Sequence, residues 1–320
     1  MLRSAPSPCL HVRQSAAFRV SAVPHMQHCS KPPLNVCAPA PGTVQQTTSV
    51  HVERREVLGL GLGLFLFSLV PPALATDDQR ISTVFVAGSS GNTGRRIVQQ
   101  LRAQGYAVRA GVRDLAKARK QALYAGDEGV VLVSGDVLLK PGPLQEAIGG
   151  AQAVICATGY TGFNPGGFAQ VDEVGSKNLV DAAKAKGVVK FVFVSSLLTN
   201  ARANGQAENP NYKFLNLFGG VLDHKLVAEQ YLRASGLNYT IVRPGGLSEE
   251  PPSVVGNLIA RPEDTLFGLD TDPGRQVSRD TVAAVCVAAL SQSSADNEVV
   301  EIVASPSAPE VDPSQWFPKA

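Results

Sequence analysis

From Thr83 onward the chain alternates short, almost uninterrupted apolar runs with stretches whose apolar residues recur at helical spacing. The runs are TVFVA (83–87), AVRAGVR (107–113), VVLVS (130–134), AVICA (153–157), KFVFVS (190–195), YTIVR (239–243) and EVVEIV (298–303). Rich in β-branched residues and nearly free of polar alternates, they read as strands covered by helices on both faces. Between them the spacing predicts helices at Arg95–Gln104, Leu115–Tyr124, Leu144–Ile148, Val174–Lys186, Leu222–Ser235 and Arg279–Leu290. This alternation predicts an α/β, Rossmann-like doubly wound parallel sheet of about seven strands, with a small C-terminal substrate-loop region.

One turn carries chemistry. Gly88-Ser89-Ser90-Gly91-Asn92-Thr93-Gly94 follows the first strand directly and opens the first helix. In that context Gly88 serves a tight turn, Gly91 lets a pyrophosphate approach the backbone, and Gly94 lets the helix pack on the strand. The helix N-terminus then offers free N–H groups and its positive dipole end to phosphates. An NAD-specific site wants an acidic residue after the second strand; here Arg113 stands, with Lys117 one helical turn on. A guanidinium suits a 2′-phosphate, so the cofactor reading is NADP(H), with Asp114 as a countersignal. Gly135-Asp136-Val137 falls where an adenine would lie, and Ala157-Thr158-Gly159 on the nicotinamide side.

Composition changes the picture mainly at the N-terminus. The chain has 320 residues, 44% hydrophobic and 18% charged, enough for a sizeable core, and its net charge of +2 gives no broad basic field for nucleic acid. The first 52 residues lack Asp and Glu but hold nine Ser and Thr and seven Pro. Next come Arg54-Arg55, an apolar run from Val57 to Val70, and Ala73-Leu74-Ala75. Residues 1–75 therefore read as a cleaved targeting leader, and 76–320 as the folded body. Fourteen apolar residues with three glycines are short for a span, although an uncleaved anchor is the competing reading. The leader resembles bipartite presequences of plastid proteins that cross the thylakoid membrane by the twin-arginine route. Of the His and Cys only His224, Cys156 and Cys286 remain downstream, so no structural zinc or other metal site and no disulfide framework is expected; both cysteines read as core.

GSSGNTG, VRD, SGDV, VICATG, FVFVSS and NYTIVRPGG resemble the atypical short-chain dehydrogenase/reductase family. More narrowly, DHKLVAEQYLRASGLNYTIVRPGG and Ser278-Arg279-Asp280 are similar to plastid NAD(P)-binding proteins related to the redox-sensing component of the inner-envelope import machinery. The resemblance implies that Ser195, Pro244 and Gly245 line the coenzyme and that Ser196 orients a carbonyl. Lys225 matches the Lys of the family's Tyr-x-x-x-Lys pair, where it touches the nicotinamide ribose or acts as the acid. Val221 stands at the tyrosine position and has no proton to give. His224, beside Lys225, is expected to point elsewhere on the helix; Tyr160 and Tyr212 are phenols without demanding spacing.

Polar, Gly- and Pro-rich segments at 160–167, 197–218 and 245–280 are expected to cover the nicotinamide pocket, with 305–320 as a packed extension or docking peptide. Two functions follow. One is a plastid reductase passing hydride to a conjugated acceptor of the quinone, flavin or tetrapyrrole kind. The other is a non-catalytic NADP(H)-responsive sensor. Peripheral association with a thylakoid or envelope membrane and a protein partner belong to the same expectation. The leader points to the thylakoid lumen, the coenzyme and the family to the stroma or its membrane face.

Overall fold

The computed structural model describes residues 80–319, which belong to the unit Pro72–Ala320; residues 1–75, read from the sequence as a targeting leader, lie outside the described residues. Ten strands are found there: β1 (Thr83–Ala87), β2 (Ala107–Val112), β3 (Val130–Ser134), β4 (Ala153–Cys156), β5 (Lys190–Val194), β6 (Tyr239–Pro244), β7 (Gly246–Ser248), β8 (Asn257–Pro262), β9 (Gln276–Ser278) and β10 (Glu298–Ser305). The helices are α1 (Asn92–Ala103), α2 (Leu115–Lys120), α3 (Pro141–Ile148), α4 (Gly166–Phe168), α5 (Ser176–Ala185), α6 (Pro210–Asn216), α7 (Val221–Ala234), α8 (Pro252–Val255) and α9 (Arg279–Ala288). None of the described helices is long and apolar enough to cross a membrane.

The seven sequence-predicted strands form one parallel sheet, ordered β3-β2-β1-β4-β5-β6-β10. Strand order reverses between β1 and β4, which opens a crevice at their carboxyl ends. Alternation along β1 sorts the core. Val84 and Val86 pack with Ile97 and Leu101 of α1 and Val282 and Cys286 of α9. Phe85 and Ala87 face Leu144 of α3, Leu179 of α5 and Leu232 of α7.

Three features depart from the expectation. β3 is the sheet edge and only half covered, with Val131 54% exposed. The 245–280 segment is no plain loop: β8 pairs antiparallel with β10 from Asn257–Ser305 to Pro262–Val300, and β9 and β7 extend that side, so the complete sheet is mixed. The helix foreseen at Val174 begins at Gly166 and runs through a π-helical stretch, Ala169–Gly175, into α5. Residues 305–319 pack back: Phe317 is buried, Asn257 Nδ2 donates to Ala308 O, and Trp316 Nε1 donates to Val311 O beside a cavity lined by Leu258, Ala260 and Pro309.

Candidate functional site

The chain leaves β1 through Gly88 at φ +74°, where a Cβ would meet the Ala157 carbonyl oxygen at 2.8 Å. A Cβ at Gly94 would stand 2.2 Å from Gly88 O, so any side chain there pushes α1 off the turn. At Gly91 the nearest atom would be Gly88 O at 3.3 Å, and the residue is exposed. Gly91 is also the N-cap of α1 and brings no capping side chain, unlike Asp114 on α2 and Ser278 on α9. Two glycines close the turn and the third keeps its outer surface bare, with N–H groups free for an anion. That cradle fits a dinucleotide pyrophosphate.

The other turn residues have separate tasks. Ser89 is buried and gives both its N–H and its hydroxyl to Gly111 O, at 3.1 and 3.0 Å, tying the turn to β2. Tyr124 OH donates to Ser89 O at 2.5 Å and braces the turn from behind; burial raises its pKa to about 12. Ser90 is exposed, Asn92 Nδ2 donates to Glu249 at 2.8 Å, and Thr93 Oγ1 accepts from Arg279 at 2.9 Å.

Beside the turn lies a cavity of about 260 Å³ lined by Ser90, Arg95, Arg113, Lys117 and Gln121. Three cations thus converge where the end of β2 meets α1 and α2. Asp114 uses its carboxylate to accept Lys117 N–H at 2.8 Å, capping α2. Sequence reasoning missed Arg95. Its signal was its place immediately after Gly94, where the first helical turn brings its Nε to 3.0 Å from Ser90 O.

Further along the crevice, Asp136 Oδ1 accepts Leu138 N–H, and Val137 is buried against Gly175, where a Cβ would come within 2.5 Å of it. Ala157 and Thr158 are half-buried and Gly159 is exposed; Thr158 Oγ1 lies 3.2 Å from Cys156 Sγ. Pro244 is buried, and Gly245 donates its N–H to Ile302 O at 2.9 Å.

Lys225 projects from α7 toward the sheet, its Nζ 5.5 Å from the Phe193 ring centroid and 3.1 Å from Asp172 Oδ1. Asp172 belongs to the π-helical stretch; its Oδ2 accepts Tyr160 N–H at 3.1 Å, whereas Oδ1 accepts no aligned hydrogen bond and holds Lys225 by charge. A π-helical stretch at such a place widens one turn, here setting neighbouring acids against α7. His224, expected to point elsewhere than Lys225, has a separate partner, the next acid on that stretch: its Nδ1 is 2.7 Å from Glu173 Oε2. Glu173 also accepts from Lys177 Nζ at 2.8 Å. Tyr212 OH is committed to Asp223 at 2.5 Å, and Tyr160 OH accepts Asn164 N–H at 3.1 Å.

The two serines after β5 separate clearly. Ser195 is buried and donates to Glu229 Oε1 at 2.5 Å. Ser196 is half-buried, and no partner for its hydroxyl is found among the described residues. Glu229 is itself fully buried, accepts from Thr199 at 3.1 Å, and pairs with Arg243 at 2.7 Å. Arg243 extends to Asp264 at 2.8 Å and to Glu301 at 3.3 Å, and Glu301 accepts the N–H groups of Asp264, Thr265 and Leu266. One buried guanidinium therefore ties the end of β5 to the 264–266 loop.

A glycine-rich turn without a capping side chain at the switch point of a parallel sheet defines a dinucleotide-binding domain of the Rossmann type. Residues 88–293 match the family described as NAD(P)H-binding, and the chain belongs to it. It is 51% identical over 228 residues to an uncharacterised chloroplastic protein of Arabidopsis thaliana, covering 71% of this chain and 78% of that one. It is 38% identical over 254 residues to the chloroplastic protein TIC 62 of Pisum sativum, covering 73% of this chain but only 45% of TIC 62. With the sanguinarine reductase of Eschscholzia californica it shares 32% identity over 269 residues, 72% of this chain and 92% of the reductase. Among solved structures, the oxidoreductase ylbE of Lactococcus lactis has the same fold, with a TM-score of 0.58 at 23% identity over 71% of this chain and 92% of that one.

Proposed function

We propose that the protein is a plastid NADP(H)-dependent oxidoreductase whose acceptor is an apolar, conjugated molecule of the quinone, flavin or tetrapyrrole kind. The observation that carries the acceptor class is the rim of the crevice. The segments after β4 and β5 meet where a Cβ on Gly219 would touch Phe168 and the Pro165 carbonyl. They expose Phe163, Phe214, Leu217 and Phe218, each more than 60% in solvent. Exposed apolar side chains on the segments that follow the carboxyl ends of β4 and β5 suit an apolar ligand.

NADP(H) when bound supplies hydride. In this reading the glycine cradle holds its diphosphate, and Arg95, Arg113 and Lys117 hold the 2′-phosphate that distinguishes it from NAD(H). Lys225, kept by Asp172, is within the crevice to bind the ribose, and Ser196 keeps a hydroxyl free for an acceptor oxygen. Val221 replaces the phenol of the wider family, so the proton that follows hydride comes from solvent, which a conjugated acceptor tolerates. Resemblance to chloroplastic relatives and the leader composition support residence in the plastid.

The same Val221 favours a second reading, an NADP(H)-responsive binding protein that performs no turnover. Oxidation of NADPH by the full chain with quinone and flavin acceptors separates the two. Turnover that falls at least tenfold in Lys225→Ala supports the oxidoreductase. Tight NADPH binding with no turnover on any acceptor overturns it in favour of the sensor.

A further inference from the structure

The mouth of the glycine cradle is held by a carboxylate from the far end of the sequence. Glu249 follows β7. Its Oε1 accepts from Asn92 Nδ2 at 2.8 Å and from Arg279 Nε at 2.6 Å, and its Oε2 lies 3.2 Å from Arg96 Nη2. Arg279 also donates from Nη1 to Thr93 Oγ1 at 2.9 Å. Arg96 completes the cluster through Asp280 at 3.1 Å, and Ser278 Oγ donates to Glu250 O at 2.7 Å, pinning the segment to the start of α9. Two guanidiniums and two carboxylates balance, so the cluster is neutral as it stands. A diphosphate at the N-terminus of α1 adds negative charge next to Asn92 and Thr93, where Glu249 already sits. Like charges at that separation repel, while Arg279 gains a better anion than a carboxylate.

We propose that Arg279 is a diphosphate-binding residue of the coenzyme site and that Glu249 occupies it as an internal competitor until the dinucleotide arrives. Binding then exchanges carboxylate for phosphate on Arg279 and releases the strap 248–255, which includes α8 and its exposed Val254. That strap leads from the end of β7 into β8, so coenzyme occupancy is transmitted to the segment flanking the crevice. This inference rests on the NAD(P)H-binding reading and adds a gate to it.

The test is calorimetric titration of the full chain with NADP⁺, with amide hydrogen exchange over 248–255 as a second readout. Glu249→Gln keeps an acceptor for Asn92 but loses the charge, and is expected to bind NADP⁺ about two- to fivefold tighter, the scale of a solvent-exposed ion pair. Arg279→Gln binds weaker by a similar factor, Arg279→Lys falls between, and Glu249→Gln/Arg279→Gln resembles Arg279→Gln because the competitor has lost its target. Exchange over 248–255 quickens with NADP⁺ in the wild type and is already fast in Glu249→Gln. Unchanged or weakened binding by Glu249→Gln, or wild-type affinity in both Arg279 variants, overturns the gate alone. A wild-type chain that binds no NADP⁺ overturns the coenzyme reading and the gate with it.

Discussion

Lys225 Nζ stands 3.1 Å from Oδ1 of Asp172, a carboxylate whose side chain has no surface in solvent, while Lys225 keeps only 11% of its own. Removing either partner strands a charge. Asp172→Asn and Lys225→Met are each expected to cost about 3 kcal/mol, whereas the double variant recovers a good part of the loss. Urea unfolding of the four proteins checks this; additive losses would show that the two groups do not interact.

The three cradle glycines separate fold from binding. Gly94→Ala places a methyl within 2.2 Å of a carbonyl and should lower stability by more than about 2 kcal/mol. Gly91→Ala meets only Gly88 O, at a tight 3.3 Å, so its unfolding midpoint falls much less than that of Gly94→Ala while NADP⁺ affinity falls at least tenfold. Denaturation and titration on the same two variants give the comparison.

Arg95, Arg113 and Lys117 line one cavity, and each cation lost should erode preference for NADPH over NADH. Arg113→Glu is expected to lower that ratio by about a hundredfold and Arg95→Gln by about tenfold, on the scale of charge-assisted hydrogen bonds. Dissociation constants for both coenzymes supply the measurement; an Arg95 variant with the wild-type ratio removes it from the phosphate site.

Stability should fall toward acid through Glu173. The hydrogen bond from Lys177 leads in holding its carboxyl below the usual range, against burial and with help from His224. A carboxylate with a lowered folded pKa contributes fully above its unfolded value and loses that contribution as pH falls through the folded one. Glu173→Gln should therefore cost about 1 kcal/mol at neutral pH, with the difference from wild type fading between about pH 5 and pH 3. Thermal midpoints across that range are decisive: a difference that persists in acid means the carboxylate charge is not what matters.

The parallel sheet was legible because every strand of it is a local apolar run. The cradle was legible because its glycines fall within seven consecutive residues, Gly88 to Gly94. What escaped is non-local or short. β7, β8 and β9 have three to six residues, and β8 is held as a strand by six register pairs with β10 rather than by its own composition. The Arg243–Glu229–Glu301 cluster joins residues up to 72 positions apart, and nothing in the local pattern marks Glu229, on a helix, as buried. The pairing of His224 with Glu173 was not legible because a regular helix was assumed opposite it. The π-helical stretch offers consecutive acids, Asp172 and Glu173, to consecutive bases on α7, which a regular 100° step did not suggest.

The sole indole of the chain, Trp316, lines a cavity on the β8 flank together with Leu258 and Ala260. Intrinsic emission therefore reports peeling of the carboxyl-terminal tail from the antiparallel edge. Occupancy of the glycine turn, which follows β1 four strands away from β10, has to be followed by the coenzyme's own fluorescence, so the two signals give independent clocks for unravelling and for loading.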